Sequence, residues 1–419
     1  MKEYRITDFG ARVCDRLQTE KIQAAIDACF LDGGGKVIIP KGIFLTGVIR
    51  LRSNITLYLE SGAILRASRN HNDYSSYLDD KIEPIGDYSH LVGNVNPVTK
   101  WNNGLIKVMN AENVSIIGEV GSYIDGVNCF DPDGEEKYRG PHAINIYNSK
   151  NLYFEGYTIV DSANWAHNIY NSSDITVKNV TVLGGHDGFD ARTCDNILIE
   201  DCDFKTGDDA IAGFDNKNVV IRNCILDCAC SALRFGGTDV LIENCRSVAP
   251  SSFGFRKPLS DEEKKFGLPT TEACRHNMHT TFQYYCDFRA DIRYAPGNIL
   301  IRNCVFENPN SIFLHPYDGE HIWCCNRPLN SITYEDCEIR GISLPAVLCS
   351  DPAEPLDFRL KNVKITASEE GADFPLLQAT NCKYIEFDNV TIEGFSEPCI
   401  VTDKPEAVRI VGGSNIKIK

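Results

Sequence analysis

A short apolar strand pattern recurs along the chain at nearly constant spacing. Its first apolar residue falls at Ile175, Ile197, Val219 and Val240, which are 22, 22 and 21 residues apart. The same pattern returns less regularly at Ile55, Val114, Leu152, Ile299, Ile332 and Ile385. A period of about 22 residues is too short for a pair of helices and fits one coil of a parallel β-helix. We therefore expect an all-β solenoid whose coils stack about 4.8 Å apart.

Many copies of the strand pattern end in an aspartate or asparagine that is followed by a cysteine. The acidic and amide residues are Asp201, Asn223, Asn244, Asn303 and Asp336. The cysteines are Cys202, Cys224, Cys245, Cys304 and Cys337. Asx side chains tolerate the left-handed backbone of a tight turn, and free cysteine behaves as a small apolar residue. We expect these thiols to form a reduced ladder inside the coil, with disulfides between stacked neighbours as the alternative.

Two segments depart from the repeat. Ile22, Ala25, Ile26, Cys29 and Phe30 recur at helical spacing behind Thr19, a predicted N-cap, and a run of three glycines ends the segment. This helix would cover the open end of the first coil.

The second departure covers residues 249–297, where the repeat is interrupted. Ser260-Asp261-Glu262-Glu263 is a capping box that predicts a short helix inside this excursion. Because long excursions from a regular solenoid are usually functional, we expect it to lie over the active-site groove.

Composition narrows the organisation and the partners. A length of 419 residues alone would suggest two or three domains, but stacked coils make residues 1–419 a single domain. The net charge of −16 argues against nucleic acid and against an anionic membrane surface. The chain has no apolar run long enough to span a bilayer, and residues 1–8 do not resemble a secretory signal. We therefore expect a cytoplasmic protein, and the cysteine ladder fits a reducing compartment.

Three acidic residues concentrate at one position of the repeat. Asp187 and Asp209 each lie twelve residues after the first apolar residue of their coil, and Asp208 is adjacent. Stacked carboxylates raise the pKa of one another, and a protonated acid beside an ionised one is what acid–base hydrolysis requires. A row of hydrated turn residues is the alternative for any one of these acids. Three acids together favour a catalytic site.

At these residues the chain resembles glycoside hydrolase family 28, the polygalacturonase-like enzymes. The match extends from Thr7-Asp8-Phe9-Gly10-Ala11 to about Cys245 and includes Asp161-Ser162-Ala163-Asn164-Trp165. Gly185-His186-Asp187 corresponds to the family's Asn-Thr-Asp, and Asp208-Asp209 to its Asp-Asp pair. The resemblance implies a right-handed parallel β-helix.

The resemblance also implies roles for the acids. Asp208 would be the general acid, and Asp187 and Asp209 would be the bases that activate water. This division implies inversion of the anomeric configuration, for which the acid and the base stand roughly 6.5–9.5 Å apart. The implied substrate is a pectic or related plant cell-wall oligosaccharide, cleaved from its end.

Two elements of the family pattern are absent. The Gly-His-Gly position is occupied by Cys230-Ser231-Ala232, and no Arg-Ile-Lys is found. The candidate substrate-binding residues are therefore His186, Ser231, Arg234, Tyr284 and Arg289. The arginines would hold a uronate or form surface ion pairs, and the aromatic residues would stack on sugars or pack the excursion onto the coil.

Other hypotheses remain open. A second hypothesis keeps the fold but changes the chemistry to that of a lyase, an epimerase or an intramolecular transglycosylase. A third is a sugar-binding β-helix without catalysis. Tyr284 and Tyr285 facing a second subunit would indicate a homo-oligomer. Neither a metal nor another cofactor is expected, because Cys324, Cys325, His321 and His315 match no standard ligand spacing.

Overall fold

Strands from successive coils lie side by side in three parallel stacks, which together form a right-handed parallel β-helix. The computed structural model describes residues 1–75, 100–255, 257–266, 275–286, 292–317 and 327–419. Buried aliphatic and aromatic side chains from all three stacks fill the interior of the coil as one continuous core. The predicted fold class is confirmed.

The strands of each stack follow in chain order. The first stack contains Ile49–Leu51, Gly104–Met109, His142–Tyr147, His167–Tyr170, Phe189–Arg192, the first halves of Ile211–Arg222 and Ser231–Glu243, then Met278–Tyr284, Pro309–Pro316, Ala346–Cys349, Leu377–Thr380, Cys399–Thr402 and Lys417–Ile418. The second contains Glu3–Arg5, Gly35–Ile39, Ile55–Leu59, Glu112–Gly118, Lys150–Glu155, Ser173–Lys178, Asp195–Glu200, the second halves of the two long strands, then Gly297–Arg302, Ser331–Glu335, Leu356–Lys361, Cys382–Glu393 and Val408–Gly413. The third contains Gly42–Thr46, Ala63–Ala67, Tyr123–Asp125, Thr158–Val160, Thr181–Leu183, Asp203–Thr206, Ile225–Cys228, Arg246–Val248, Val305–Glu307, Glu338–Ile342, Lys364–Ala367 and the end of Cys382–Glu393. Phe130–Glu135 lies outside the stacks.

The register of the second stack follows the sequence repeat. Ile175 pairs with Ile197, Ile197 with Val219, and Val219 with Val240. Val240 pairs with Ile299 although 59 residues separate them. The coil therefore resumes its register after the excursion.

The Asx residues and cysteines lie where the pattern predicted. The five Asx residues after the strands have φ between 51° and 56°, the left-handed region that asparagine and aspartate tolerate. The five cysteines that follow are free and buried, and the thiols donate to backbone carbonyls of the coil.

The N-terminal helix, Thr19–Leu31, packs against the first coil through Ile22, Ala25, Ile26 and Cys29. Gln18, not Thr19, occupies the N-cap position. The Oγ1 atom of Thr19 instead accepts a hydrogen bond from the Gly47 amide at 2.8 Å, so this residue ties the helix to the first coil.

The excursion is partly built into the solenoid. The short helix Asp261–Lys265 has the predicted capping box at Ser260 and Glu263. Met278–Tyr284 is a strand of the first stack, between Ser231–Glu243 and Pro309–Pro316. Residues 249–297 therefore contribute one strand of a coil as well as loops.

Candidate active site

The three predicted acids meet where the chain passes from the third stack to the first. Phe189 pairs with Ile211, which places Asp187 and Asp209, two residues earlier in each coil, at the same position. The Asp209 amide lies 3.3 Å from Oδ1 of Asp187. Asp208 is 9% exposed, Asp187 4% and Asp209 0%. This acid triad is therefore a nearly buried cluster of stacked carboxylates, not a row of hydrated turn residues.

Arg139 is the main cation at the triad. Its Nη2 atom donates to Oδ2 of Asp208 at 3.1 Å, and its Nε atom donates to Glu136 at 2.9 Å. The guanidinium is 5.9 Å from the centre of the Phe255 ring. Arg139 is buried, so it is a fixed positive charge close to the reacting acids.

The triad acids differ in their affinity for protons. Burial and the neighbouring charges of Asp208 and Asp209 raise the pKa of Asp187 well above its ordinary value. Burial and the charge of Asp208 also raise the pKa of Asp209. Burial opposes ionisation of Asp208, but His186 and Arg139 hold its pKa well below the usual range. In the free protein Asp187 and Asp209 therefore bind a proton more readily than Asp208 does.

These relative pKa values differ from what the family resemblance implies, in which Asp208 is the general acid. An acid that donates a proton needs a pKa near the working pH, whereas Arg139 keeps Asp208 ionised. Asp208 can act as the acid only if the sugar raises its pKa on binding. A substrate group that draws Arg139 away from Asp208 would do so, because it removes the cation from the carboxylate.

The two carboxylate oxygens of Asp209 differ in their contacts. Its Oδ1 atom accepts the Ser231 amide at 2.7 Å. Its Oδ2 atom accepts no hydrogen bond from the described residues and lies 3.6 Å from Nη1 of Arg234. Arg234 packs on the Tyr285 ring at 4.4 Å. Ser231 is fully buried and its hydroxyl donates to Gln283, which supports a role in positioning Asp209.

His186 is packed between aromatic rings. Its ring centre lies 6.2 Å from that of Tyr138 and 5.8 Å from that of Phe255. Its Nδ1 atom is 3.9 Å from Oδ2 of Asp208, and burial together with Arg139 lowers the pKa of His186 to about 4. His186 is therefore a neutral neighbour of Asp208, and its predicted contact with the sugar stays a prediction.

One row of side chains runs along the face of the first stack beside the triad. In register it contains Asn145, Asn168, Asp190, Ala212, Arg234, Gln283, Leu314, Val347 and Gln378. The first four are buried, whereas the members from Arg234 onward are half-buried or exposed. We call this set the floor row. Among the described residues, the floor row is open only on the C-terminal side of the triad.

Residues 101–103 cover the closed end of the floor row. The Nδ2 atoms of Asn145 and Asn168 donate to the carbonyl and side-chain oxygens of Asn102. The Trp101 carbonyl lies 2.8 Å from Nε2 of His142. The Nε atom of Arg192 lies 3.1 Å from Oδ1 of Asp190, and its guanidinium stacks 4.9 Å from the centre of the Trp165 ring. Residues 101–103 therefore block the path of a sugar chain on the N-terminal side of the acids.

Cys230 brings a thiol close to the triad. One atom each of Asp208, Asp209 and Cys230 lie within 4.8 Å of one another. Burial and the charge of Asp209 raise the pKa of the Cys230 thiol well above its ordinary value. One carboxylate oxygen of Asp208 and one of Asp209 lie within 4.8 Å of each other, below the roughly 6.5–9.5 Å between the carboxyl groups of inverting enzymes.

One predicted substrate-binding residue, Tyr284, lies away from the triad, and another, Arg289, cannot be placed. Tyr284 is a core residue with no exposed surface, and its hydroxyl donates to the Arg327 carbonyl. The prediction that it contacts the sugar or a second subunit is therefore wrong. Tyr285 is also buried, under Arg234. Arg289 lies outside the described residues, as do Cys324, Cys325 and His321.

Four residues outside the predicted set of site residues contact the site: Arg139, Phe255, Arg275 and His279. The first lies in a segment that carries no repeat, and the other three lie in the excursion. His279 is 3.8 Å from the Cys230 thiol, and its Nε2 atom accepts a hydrogen bond from Arg275 at 2.7 Å. A half-buried histidine, His279, thus lies beside the position where the family's own histidine is absent.

Comparison with known proteins confirms the predicted resemblance. Residues 80–230 match the family Glycosyl hydrolases family 28. A probable polygalacturonase of Vitis vinifera is 27% identical over 244 residues, 52% of this chain and 48% of that protein. An exo-poly-alpha-D-galacturonosidase of Dickeya chrysanthemi is 43% identical over 74 residues, 17% of this chain and 12% of that protein. The chain thus spans about half the length, or less, of these curated relatives.

The fold has a solved counterpart. The family 28 exopolygalacturonase of Yersinia enterocolitica superposes with a TM-score of 0.62 and 16% identity, covering 100% of this chain and 78% of that one. At this identity the likeness concerns the fold alone. In the part of the chain that the structure describes, every helix is too short or too polar to cross a membrane.

Proposed function

We propose, from the match of residues 80–230 to glycosyl hydrolases family 28, that this protein is a glycoside hydrolase that acts on pectic or related plant cell-wall oligosaccharides. The observation that carries the proposal is the buried acid triad, in which burial raises the pKa of Asp187 and Asp209 while His186 and Arg139 lower that of Asp208. Adjacent carboxyl groups whose pKa values are pushed apart are typical of acid–base cleavage of a glycosidic bond. The chemistry calls for no cofactor.

In the reaction, one carboxyl group protonates the glycosidic oxygen as the bond to the anomeric carbon breaks. A second carboxylate removes a proton from the water that attacks that carbon. The roles implied by the family assign the first step to Asp208 and the second to Asp187 and Asp209. Arg139 and Arg234 each lie beside one of these acids, so they are positioned to hold an anionic sugar against the triad.

The shape of the floor row supports action at the end of the substrate. Residues 101–103 cover the row on the N-terminal side of the triad, whereas the C-terminal side is open. A terminal sugar fits between this wall and the acids, and the rest of the oligosaccharide leaves toward the C-terminal coils. An enzyme that cuts internal bonds needs a groove that is open at both ends.

The test is a screen of defined oligogalacturonides and related wall oligosaccharides. The proposal predicts monosaccharides as the earliest product. The anomer that proton NMR detects first, before mutarotation, shows whether the configuration is inverted. An unsaturated uronide that absorbs in the ultraviolet would make the protein a lyase. Binding with no product after long incubation would make it a sugar-binding protein.

A further inference from the structure

The thiol of Cys230 lies at the outer edge of the acid triad. One atom each of Cys230, Asp208 and Asp209 lie within 4.8 Å of one another. Cys230 is half-buried and Asp208 is 9% exposed, whereas Asp209 has no exposed surface. A thiol and two carboxylates therefore converge in one small volume, and two of the three groups are accessible to an ion from solvent.

One oxygen of Asp209 is available as a ligand. Its Oδ1 atom accepts the Ser231 amide at 2.7 Å, but its Oδ2 atom is buried and accepts no hydrogen bond from the described residues. The nearest cationic atom, Nη1 of Arg234, is 3.6 Å away, which is too far for a hydrogen bond. Because a buried polar atom without a partner is unfavourable, a cation bound at this oxygen would be stabilising.

The spacing of the three groups suits a tetrahedral metal ion. In a zinc site the Zn–S bond is about 2.3 Å and the Zn–O bond about 2.0–2.2 Å, so neighbouring ligand atoms stand about 3.4–3.6 Å apart. Starting from separations within 4.8 Å, the atoms need to approach by less than about 1.5 Å. Side-chain rotation is enough for this movement. Three protein ligands would leave the fourth position of the ion to water.

The charges around the triad favour a divalent cation. When fully ionised, Cys230 and the three acids carry four negative charges, and the two cations in contact with the acids are Arg139 and Arg234. One divalent ion balances the remaining charge. It replaces the proton of the thiol, which passes to solvent. The sulfur ligand selects zinc over magnesium or calcium, which prefer oxygen ligands.

The thiol is also a departure from the family pattern, because Cys230 occupies the first glycine of Gly-His-Gly. We propose that Asp208, Asp209 and Cys230 form a binding site for a sulfur-preferring divalent cation such as Zn²⁺, and that the bound ion prevents the two acids from acting on a substrate. The inhibition rests on the proposed hydrolase function, whereas the binding of the ion does not.

The binding test titrates metal-free, full-length protein with Zn²⁺ by calorimetry and with Co²⁺ by absorbance. Co²⁺ should give a thiolate-to-metal charge-transfer band, which Cys230→Ser should remove. The same variant should weaken Zn²⁺ binding by at least about 10-fold, since even groups behind a metal ligand contribute that much. Cys230→Ala replaces it if the serine variant does not fold. Cys14→Ser removes an exposed thiol beside the first coil, and this matched control should behave as the native protein does.

The inhibition test uses a pectic oligosaccharide that the native protein cleaves. Zn²⁺ should inhibit, a chelator should restore the rate, and Mg²⁺ at the same concentration should have no effect. In Cys230→Ser the half-inhibiting Zn²⁺ concentration, measured against the zinc-free rate of that variant, should rise at least about 10-fold.

The outcomes separate the site from the function. Native affinity for Zn²⁺ in the Cys230 variants, or equal inhibition by Mg²⁺, overturns the site. Zn²⁺ that binds at Cys230 without inhibiting overturns the claim that it blocks the acids. If no oligosaccharide is cleaved, the proposed function fails, and the two titrations still decide whether the site exists.

Discussion

Arg139 Nη2 lies 3.1 Å from Oδ2 of Asp208, and both side chains are nearly buried. Together with His186, this ion pair lowers the pKa of Asp208, while the other two acids of the triad have raised pKa values. Charge-assisted contacts of this kind are stronger than neutral hydrogen bonds. The pair therefore controls the protonation state from which the reaction starts.

The first prediction concerns the pH dependence of catalysis. Arg139→Gln removes the cation, so the pKa of Asp208 rises. If Asp208 is the general acid, it must be protonated, and its pKa sets the basic limb of the kcat/KM profile. We therefore expect that limb to move to higher pH while the activity at the optimum falls.

Arg139→Lys retains the positive charge and is the control, with a smaller movement of the same limb. A shift of the acidic limb instead would show that Asp208 must be ionised and acts as the base. An unchanged profile would contradict the assigned link between Arg139 and Asp208.

A second prediction follows from the burial of Asp187. Its pKa is raised in the folded protein, so unfolding releases a proton at pH values between the pKa of the unfolded chain and the raised pKa of the folded protein. Folding stability therefore falls as the pH rises through this window. Asp187→Asn should increase the free energy of unfolding by about 1 kcal/mol at pH 7 and have little effect near pH 3, while hydrolysis is lost.

Urea midpoints at the two pH values measure this difference. Asp201→Asn, at an exposed turn, is the control and should change neither stability nor activity. Destabilisation by Asp187→Asn at pH 7 would argue that the carboxylate is satisfied where it lies.

A third prediction concerns the turns. Asn223 has a φ of 56°, and its side-chain amide donates to Asp201 of the preceding coil at 3.1 Å. Asn223→Ala should lower the free energy of unfolding by about 1–2 kcal/mol, because the left-handed conformation is unfavourable by about that amount for alanine. Asn223→Gly should be milder because glycine adopts this conformation freely. Equal losses for the two variants would show that the hydrogen bond, not the backbone, decides.

A fourth prediction concerns the cysteine ladder. Its five thiols are free and buried, so they should resist a thiol reagent until the protein unfolds, and a reductant should leave the unfolding midpoint unchanged. Loss of stability on reduction would reveal disulfides. The proposal that the protein works in the reducing cytoplasm rests on these thiols.

The fold was predictable because a solenoid repeats one local solution. Ile175, Ile197 and Val219 have the same neighbours in successive coils, so strand, turn and core residue recur in the sequence at a fixed spacing. Once the period is known, the register of Asp187 and Asp209 follows by counting. Thr19 shows the limit, because whether it or Gln18 caps the helix depends on where the first coil places the Gly47 amide.

The residues that surround the acid triad could not be predicted from the sequence repeat. Arg139 reaches Asp208 across 69 residues, and Phe255 and His279 reach the site from the excursion. Such contacts depend on how irregular loops pack, for which no spacing rule exists. The prediction that Tyr284 contacts the sugar was wrong for a related reason, because its strand belongs to the coil and its ring packs in the core.

The central claim is that the acid triad cleaves glycosidic bonds, and the most direct measurement is the rate at which Asp208→Asn releases reducing sugar from a pectic oligosaccharide that the native protein cleaves. Because a positioned acid or base typically contributes 10²–10⁴-fold, we expect a loss of about that size with the fold intact. The control Asp201→Asn should retain the native rate. Native turnover in Asp208→Asn would contradict the account.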